Sequence, residues 1–175
     1  MDSDPLDMHE FETSPEPTER WNAAEQLGEE TDVPPPTQIG DTDRKAWYCP
    51  TTSIWDAHRA RHILDAYGVE RVYDLGGGDC RVGLWLAEEG YDVVAYELLT
   101  PLAEAVRERF GDTPRFEIRN RDYFEDYDEC VSEGAVIAFG GTNELPYIPE
   151  RGLAIEGYCE IGIRAHYDGE VVAAW

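Results

Sequence analysis

From Ser53 onward, apolar positions recur first with the period of a helix, then with that of a strand, in alternation. Ala60, Ile63, Leu64 and Tyr67 follow i, i+3, i+4, i+7 spacing; Ser53 and Asp56 are placed as an N-terminal capping pair and Gly68 as the stop, which predicts a helix. "RVYDLG" then reads as a short buried strand, Val82, Trp85 and Leu86 share one face of a helix ending at Gly90, and "YDVVAYEL" reads as a second strand. Thr100 and Pro101 fit the cap and first helical positions of a segment whose Leu102, Ala105, Val106 and Phe110 form an apolar stripe closed by Gly111. "RFEIR" supplies another strand, and a polar link containing "DYFEDYDEC" leads to "AVIAFGG", a continuous apolar run suited to a strand covered on both faces. The alternation predicts an α/β fold, a doubly wound and mostly parallel sheet with right-handed crossovers. "LAIEGYCEIGIRAHYDGEVVAAW" alternates as paired strands do, with a strong hairpin turn at Asp168-Gly169, so the sheet is expected to end in an antiparallel hairpin.

Residues 1–44 break the pattern. They combine acids and prolines with few aliphatic side chains, too little apolar surface to offset the entropy of ordering. The expectation is an acidic, mostly disordered tail over 1–44, with Trp21 and Phe11 able to dock a short segment, and one domain over 45–175.

Charge changes the picture more than length does. The chain carries 38 acids against 14 bases, a formal net charge of -24, and Lys45 is its one lysine. The acids are dispersed rather than clustered, which makes them a surface property more than a binding site. Carboxylates keep a surface hydrated where salt screens repulsion to roughly 3 Å at 1 M, so the composition points to the cytoplasm of a halophile. A mimic of nucleic acid is the competing reading, and nonspecific nucleic-acid binding is disfavoured. Cys49, Cys80, Cys130 and Cys159 form no C-x-x-C pair, and the first residues lack the bases and apolar run of a secretory signal. Reduced thiols in a cytoplasmic protein are expected, and no apolar stretch reaches the roughly 18 residues that span a bilayer.

The chemistry gathers at "VYDLGGGDCRVG", where Asp74 precedes Gly76, Gly77 and Gly78 at the end of a strand. In a doubly wound sheet this is where ligands bind, because a loop without side chains lets backbone N–H groups approach them. The fingerprint G-x-G-x-x-G fails at Arg81, and G-x-x-x-x-G-K-[ST] fails for want of the lysine. What remains is D-x-G-x-G followed by Glu97 at the end of the next strand, the spacing at which an acid reaches a ribose diol. A carboxylate accepts hydrogen bonds from vicinal hydroxyls and would repel a ribose phosphate, while Asp74 favours a cationic group over a pyrophosphate. A free ribose, a cation and no phosphate describe S-adenosylmethionine.

On these residues the sequence resembles the class I, Rossmann-like methyltransferases: "VYDLGGGDCR" is similar to their first motif, "VVAYE" to their second, and the loop is of the D-L-G-x-G-D-x-R type. The resemblance spans about residues 46–141. It implies a Rossmann-like sheet and S-adenosylmethionine as cofactor, with Asp74 and Gly76, Gly77 and Gly78 against its methionine part, Glu97 on the ribose, and Asp122 with Tyr123 on the adenine. "YCPTT" resembles the aromatic-x-Pro-Thr segment of that subgroup, which includes lysine methyltransferases, and implies that Tyr48 and Thr51 lid the cofactor. Cys80 stands where the family has a third glycine. Phe139 and Gly140 are expected to border the cofactor.

Other candidates carry less. His58 and His62 stand four apart on a helix but lack a third ligand, and "DYDE" at 126–129 reads as a solvated charge run, so no metal is expected. "GGTNELPY" breaks the [DN]-P-P-[YFW] element of nucleic-acid amino-methyltransferases, because Glu144 and Leu145 separate Asn143 from Pro146 and Tyr147. Methyl transfer from a sulfonium needs alignment more than catalytic groups, so no catalytic residue is nameable. Only 34 residues follow Gly141, whereas the resembled fold continues with two helices and three strands that supply much of the acceptor pocket. Tyr147, Tyr158, Tyr167 and Trp175 either line a reduced pocket or simply pack. The expected function is therefore methyl transfer to an unidentified acceptor, with a protein lysine or a small molecule favoured. The alternatives are a non-catalytic or partner-dependent cofactor-binding module, its acceptor site completed by a second copy or a protein partner, and a nucleoside-binding enzyme of other chemistry.

Overall fold

A computed structural model describes residues 15–49, 52–139, 145–158 and 162–174. The chain runs as α1 (Glu19–Glu30), β1 (Thr37–Gln38), β2 (Lys45–Ala46), α2 (Ile54–Ala66), β3 (Arg71–Leu75), α3 (Arg81–Glu88), β4 (Asp92–Tyr96), α4 (Thr100–Phe110), β5 (Phe116–Arg119), a 3-10 turn (Tyr123–Glu125), α5 (Tyr127–Glu133), β6 (Ala135–Ala138), β7 (Leu153–Tyr158), β8 (Gly162–Tyr167) and β9 (Glu170–Ala174). Seven strands form one sheet in the order β5-β4-β3-β6-β7-β8-β9. The pairs from β5 through β7 are parallel, and β8 and β9 join antiparallel.

The doubly wound α/β sheet expected from the alternation is thus present. Chain order reverses at β3: β4 and β5 lie to one side of it and β6 to the other, which opens a crevice at the carboxyl ends of β3 and β6. Trp85 and Leu86 of α3, Ile63 and Leu64 of α2, and Val106 of α4 pack on one face of the sheet. Tyr127 and Cys130 of α5 close on Tyr73, Leu75 and Val94 from the other. All four residues of β6 are buried, as a strand covered on both faces requires.

Three expectations are corrected. The expected disordered tail does not hold for its described part, residues 15–44. There Thr18 accepts the Trp21 N–H at 3.2 Å and caps α1, whose Trp21, Ala24 and Gly28 form a narrow stripe against α3. Trp21 is 2% exposed, and burying one such ring contributes about 4 kcal/mol, which offsets much of the ordering cost in a segment otherwise poor in apolar residues. Second, Thr100 is not the cap of α4: the cap is Leu99, because the Thr100 hydroxyl donates to Asn120 instead. Third, the polar link holds a 3-10 turn and α5, whose buried face is only Tyr127 and Cys130 and so shows little period in the sequence. The antiparallel hairpin expected at the end of the sheet is present: β7 enters parallel to β6, and β8 and β9 follow it antiparallel. Asp168 (φ 49°) and Gly169 (φ 82°) make the β8–β9 turn with the two positive φ values of the tight hairpin turn expected there.

Candidate functional site

Asp74, next to last in β3, places its side chain beneath the glycine loop and is 2% exposed. Its Oδ2 is buried without a hydrogen-bond partner among the described residues. Burial first, then the nearby Asp79 and Glu97 charges, push its pKa up to about 7. A β-carbon on Gly77 would meet Oδ2 at 3.1 Å and one on Gly83 at 2.9 Å, so both glycines let the loop close over this carboxyl. Gly76 (φ 70°) and Gly78 (φ 61°) turn the loop through the left-handed region, where side-chain-bearing residues are strained. Cys80 adopts the same conformation as cap of α3, so the cysteine is tolerated where the resembled family has glycine.

Glu97, at the end of β4, clasps the loop from the side. Its Oε2 accepts the Gly78 N–H at 2.8 Å and its Oε1 the Leu99 N–H at 2.8 Å. Burial raises its pKa to about 7 against the opposing pull of these backbone donors. Each carboxylate oxygen keeps a second lone pair for a ligand hydroxyl.

Two further loop residues do work that the sequence reading missed. Asp79 is 2% exposed and accepts the Arg81 N–H and guanidinium as well as the Tyr48 hydroxyl at 2.7 Å. Arg81 in turn reaches Glu25 of α1 at 3.7 Å and lies over the Trp21 ring. Burial alone would lower the Arg81 pKa, but its Asp79 partner more than reverses this, and burial next to Asp79 pushes the Tyr48 hydroxyl well up. The D-x-R spacing within the loop motif was the available signal: one residue apart at a helix start, an aspartate and an arginine can fork together. Helix α1, within the segment expected as tail, thus meets the loop through the Arg81 contacts with Glu25 and Trp21, and Tyr48 meets it through Asp79.

Asp122 caps the 3-10 turn through the Phe124 N–H at 3.0 Å and takes the Arg44 guanidinium on both oxygens, at 2.7 and 2.9 Å. Burial would raise its pKa, yet Arg44 and the Phe124 N–H outweigh burial and hold it below the usual carboxylate range.

These residues meet in a single cleft of about 770 Å³ above the switch point, within the roughly 300–1,000 Å³ of small-molecule sites. Tyr48, Asp74, Gly76, Gly77, Gly78, Glu97, Asp122 and Tyr123 all line it; Trp47, Phe124 and Phe139 join them. Thr51 and Gly140 lie outside the described residues, as does Asn143. Beyond Phe124, the described wall consists of Phe139, Leu145 and Pro146 alone.

Of the aromatics expected either to line a reduced acceptor pocket or to pack, Tyr167 packs: its ring lies on Tyr67, just past α2, with centroids 4.5 Å apart. Tyr147 is half exposed and donates to Asp128. The Tyr158 side chain and Trp175 lie outside the described residues. His58 packs on Trp85, and burial lowers its pKa. Asp126 of the "DYDE" run accepts from the Tyr96 hydroxyl and pairs with Arg121. Among the described residues no group of three His, Cys, Asp or Glu side chains could hold a metal ion.

No protein-family model and no curated protein matches the sequence. Among solved structures, the chain is similar to one named as a protein-L-isoaspartate O-methyltransferase of Plasmodium falciparum in complex with S-adenosyl-L-homocysteine, at TM-score 0.51 and 12% identity over 90% of this chain and 88% of that one. An O-methyltransferase from Klebsiella pneumoniae matches at TM-score 0.52 and 11% identity, over 79% of this chain and 64% of that one. The glycopeptide N-methyltransferase MtfA matches at TM-score 0.41 and 21% identity over 58% of this chain, which spans 56% of the length of MtfA. The fold is the Rossmann-like α/β fold that the first two of these methyltransferase structures display.

Proposed function

We propose that the chain binds S-adenosylmethionine in this cleft and transfers its methyl group to an acceptor. The observation that carries the reading is the joint between Glu97 and the glycine loop: the carboxylate holds Gly78 at 2.8 Å and still offers lone pairs to the cleft. The residues fit the group. Left-handed backbone at Gly76 and Gly78 keeps the loop free of side chains, a β-carbon on Gly78 would press on the Tyr48 ring at 3.3 Å, and Asp74 brings an unpartnered buried oxygen beneath the loop.

The cofactor residues in this reading are Tyr48, Thr51, Asp74, Gly76, Gly77, Gly78, Glu97, Asp122, Tyr123 and Gly140. When bound, the cofactor supplies a methyl group activated by a sulfonium. Glu97 accepts from the ribose hydroxyls, and Asp122 with Tyr123 holds the adenine. Asp79 is matched by Arg81, and the buried Asp74 and Glu97 carboxyls, which ionise near neutral pH, favour a cationic ligand beside them at low local dielectric. Phe139, Leu145 and Pro146 give the acceptor side a dry wall, which keeps an incoming amine unprotonated.

The alternative is a cofactor-binding module whose acceptor site is completed by another copy or a protein partner. The dispersed acidity fits a cytoplasm of high salt; no helix among the described residues is long and apolar enough to cross a membrane. Incubating the protein with methyl-labelled cofactor and a halophile cell extract in molar KCl separates the two. Label appearing in a protein or small molecule supports the enzyme; label in no fraction supports the module.

A further inference from the structure

Arg44 does something no cleft wall requires. Its guanidinium carbon stands 3.2 Å from the centroid of the Phe124 ring and 5.8 Å from that of Tyr123, while its two terminal nitrogens donate to both oxygens of Asp122 at 2.7 and 2.9 Å. A planar, π-delocalised group sits over an aromatic face and directs sp² N–H donors at a carboxylate. An adenine ring would use the same surface in the same way, stacking on the ring and donating from its exocyclic amine. Phe124 is 36% exposed, with Arg44 over its face and Tyr123 packed beside it.

We propose that Arg44 is an internal occupant of the nucleobase subsite, holding the Asp122–Phe124 surface in the free protein and giving it up when an adenine-bearing ligand binds. The inference rests on the cofactor reading above and adds its regulation. The device is mechanically independent of the sheet: Arg44 rides on the β1–β2 hairpin, where its carbonyl accepts the Ile39 N–H at 2.9 Å and its own N–H donates to the Thr42 hydroxyl at 3.2 Å. Its side chain, 29% exposed, can swing to solvent without unfolding any strand. In the exchange Asp122 gives up the two guanidinium bonds for one from the ligand amine, while the Phe124 N–H stays in place.

The sign of the effect separates an occupant from a wall. A side chain that must leave lowers the apparent affinity by the fraction of molecules in which it has left, whereas a side chain that contacts the ligand raises it. Adenosine, uncharged and confined to the nucleoside subsite, and S-adenosylhomocysteine are titrated by calorimetry into the wild type, Arg44→Ala and Arg44→Lys in molar KCl. The proposal predicts that Arg44→Ala binds adenosine about five- to thirtyfold more tightly, from the size of a partly exposed ion pair plus a cation–π contact. Arg44→Lys, which lacks the plane and the fork, falls between. Equal or weaker binding by both variants overturns the occupant and leaves the cofactor reading intact. No binding of either ligand by any of the three proteins overturns the cofactor reading and this inference with it. Far-ultraviolet circular dichroism confirms that each variant is folded, and Arg44→Lys carries the comparison if Arg44→Ala is not.

Discussion

Gly28→Ala tests whether the N-terminal helix is part of the site. In an ordinary helix this change is favourable by about 1 kcal/mol. Here the new β-carbon would stand 2.0 Å from the Tyr48 hydroxyl oxygen, 2.8 Å from Cζ and 3.0 Å from the β-carbon of Asp79. The ring tip is the part able to yield, so the substitution ejects Tyr48 and breaks its 2.7 Å bond to Asp79. A hydrogen bond to a charged group is worth about 1.5–3 kcal/mol, which exceeds the helix gain and leaves a net loss of about 0.5–2 kcal/mol. With Tyr48 already replaced by alanine the ring is absent and the helix term prevails, so Gly28→Ala should then stabilise by up to about 1 kcal/mol. Urea unfolding of the four proteins in molar KCl, read as a double-mutant cycle, measures the coupling. Gly28→Ala stabilising the wild type, or acting equally in both backgrounds, would refute the reasoning.

Trp21→Ala should cost about 3–5 kcal/mol in the same urea assay, since it empties a ring site that is 2% exposed; a cost below about 1 kcal/mol would mean α1 is not docked on α3. Asp79→Ala should cost a similar 3–5 kcal/mol by stranding the buried Arg81 guanidinium, and Asp79→Asn less, as measured by thermal and urea unfolding. Asp74 and Glu97 both have folded pKa values raised to about 7 from 3.8 and 4.5. Between about pH 4 and 7 the native state therefore holds more protons than the unfolded state, and these two groups make stability fall as pH rises through that window. The difference in stability between wild type and Asp74→Asn should shift across that range, and a pH-independent difference would contradict the assignment. Binding a cation next to these carboxyls favours their ionised forms, so calorimetry near pH 7 in buffers of different ionisation enthalpy should detect proton release.

What was legible in the sequence was whatever repeats. Helical and strand periods located α2, α3, α4 and the strands from β3 to β6, and the glycine loop stood out because Gly76 and Gly78 meet a backbone demand few residues satisfy. The positions of Asp74, Glu97, Asp122 and Tyr123 around one cleft follow from strand ends in a doubly wound sheet. What was not legible depends on long-range contacts. α1 has a stripe of only Trp21, Ala24 and Gly28, visible as a docking face only once α3 is placed opposite. Arg44 lies 78 positions before Asp122, and Tyr48 31 before Asp79, so no local pattern links either pair. Tyr167 looked available for the cleft because alternation gives a face but not an end of the sheet; β8 runs antiparallel and carries it to the opposite end, against Tyr67.

The most direct test of the central claim is calorimetric titration of the wild-type protein with S-adenosylmethionine in molar KCl, alongside Glu97→Gln, which keeps one acceptor oxygen but loses the charge. The account predicts one site of about micromolar affinity, roughly -8 kcal/mol, weakened by at least about tenfold in the variant. A flat titration of the folded wild type would contradict it.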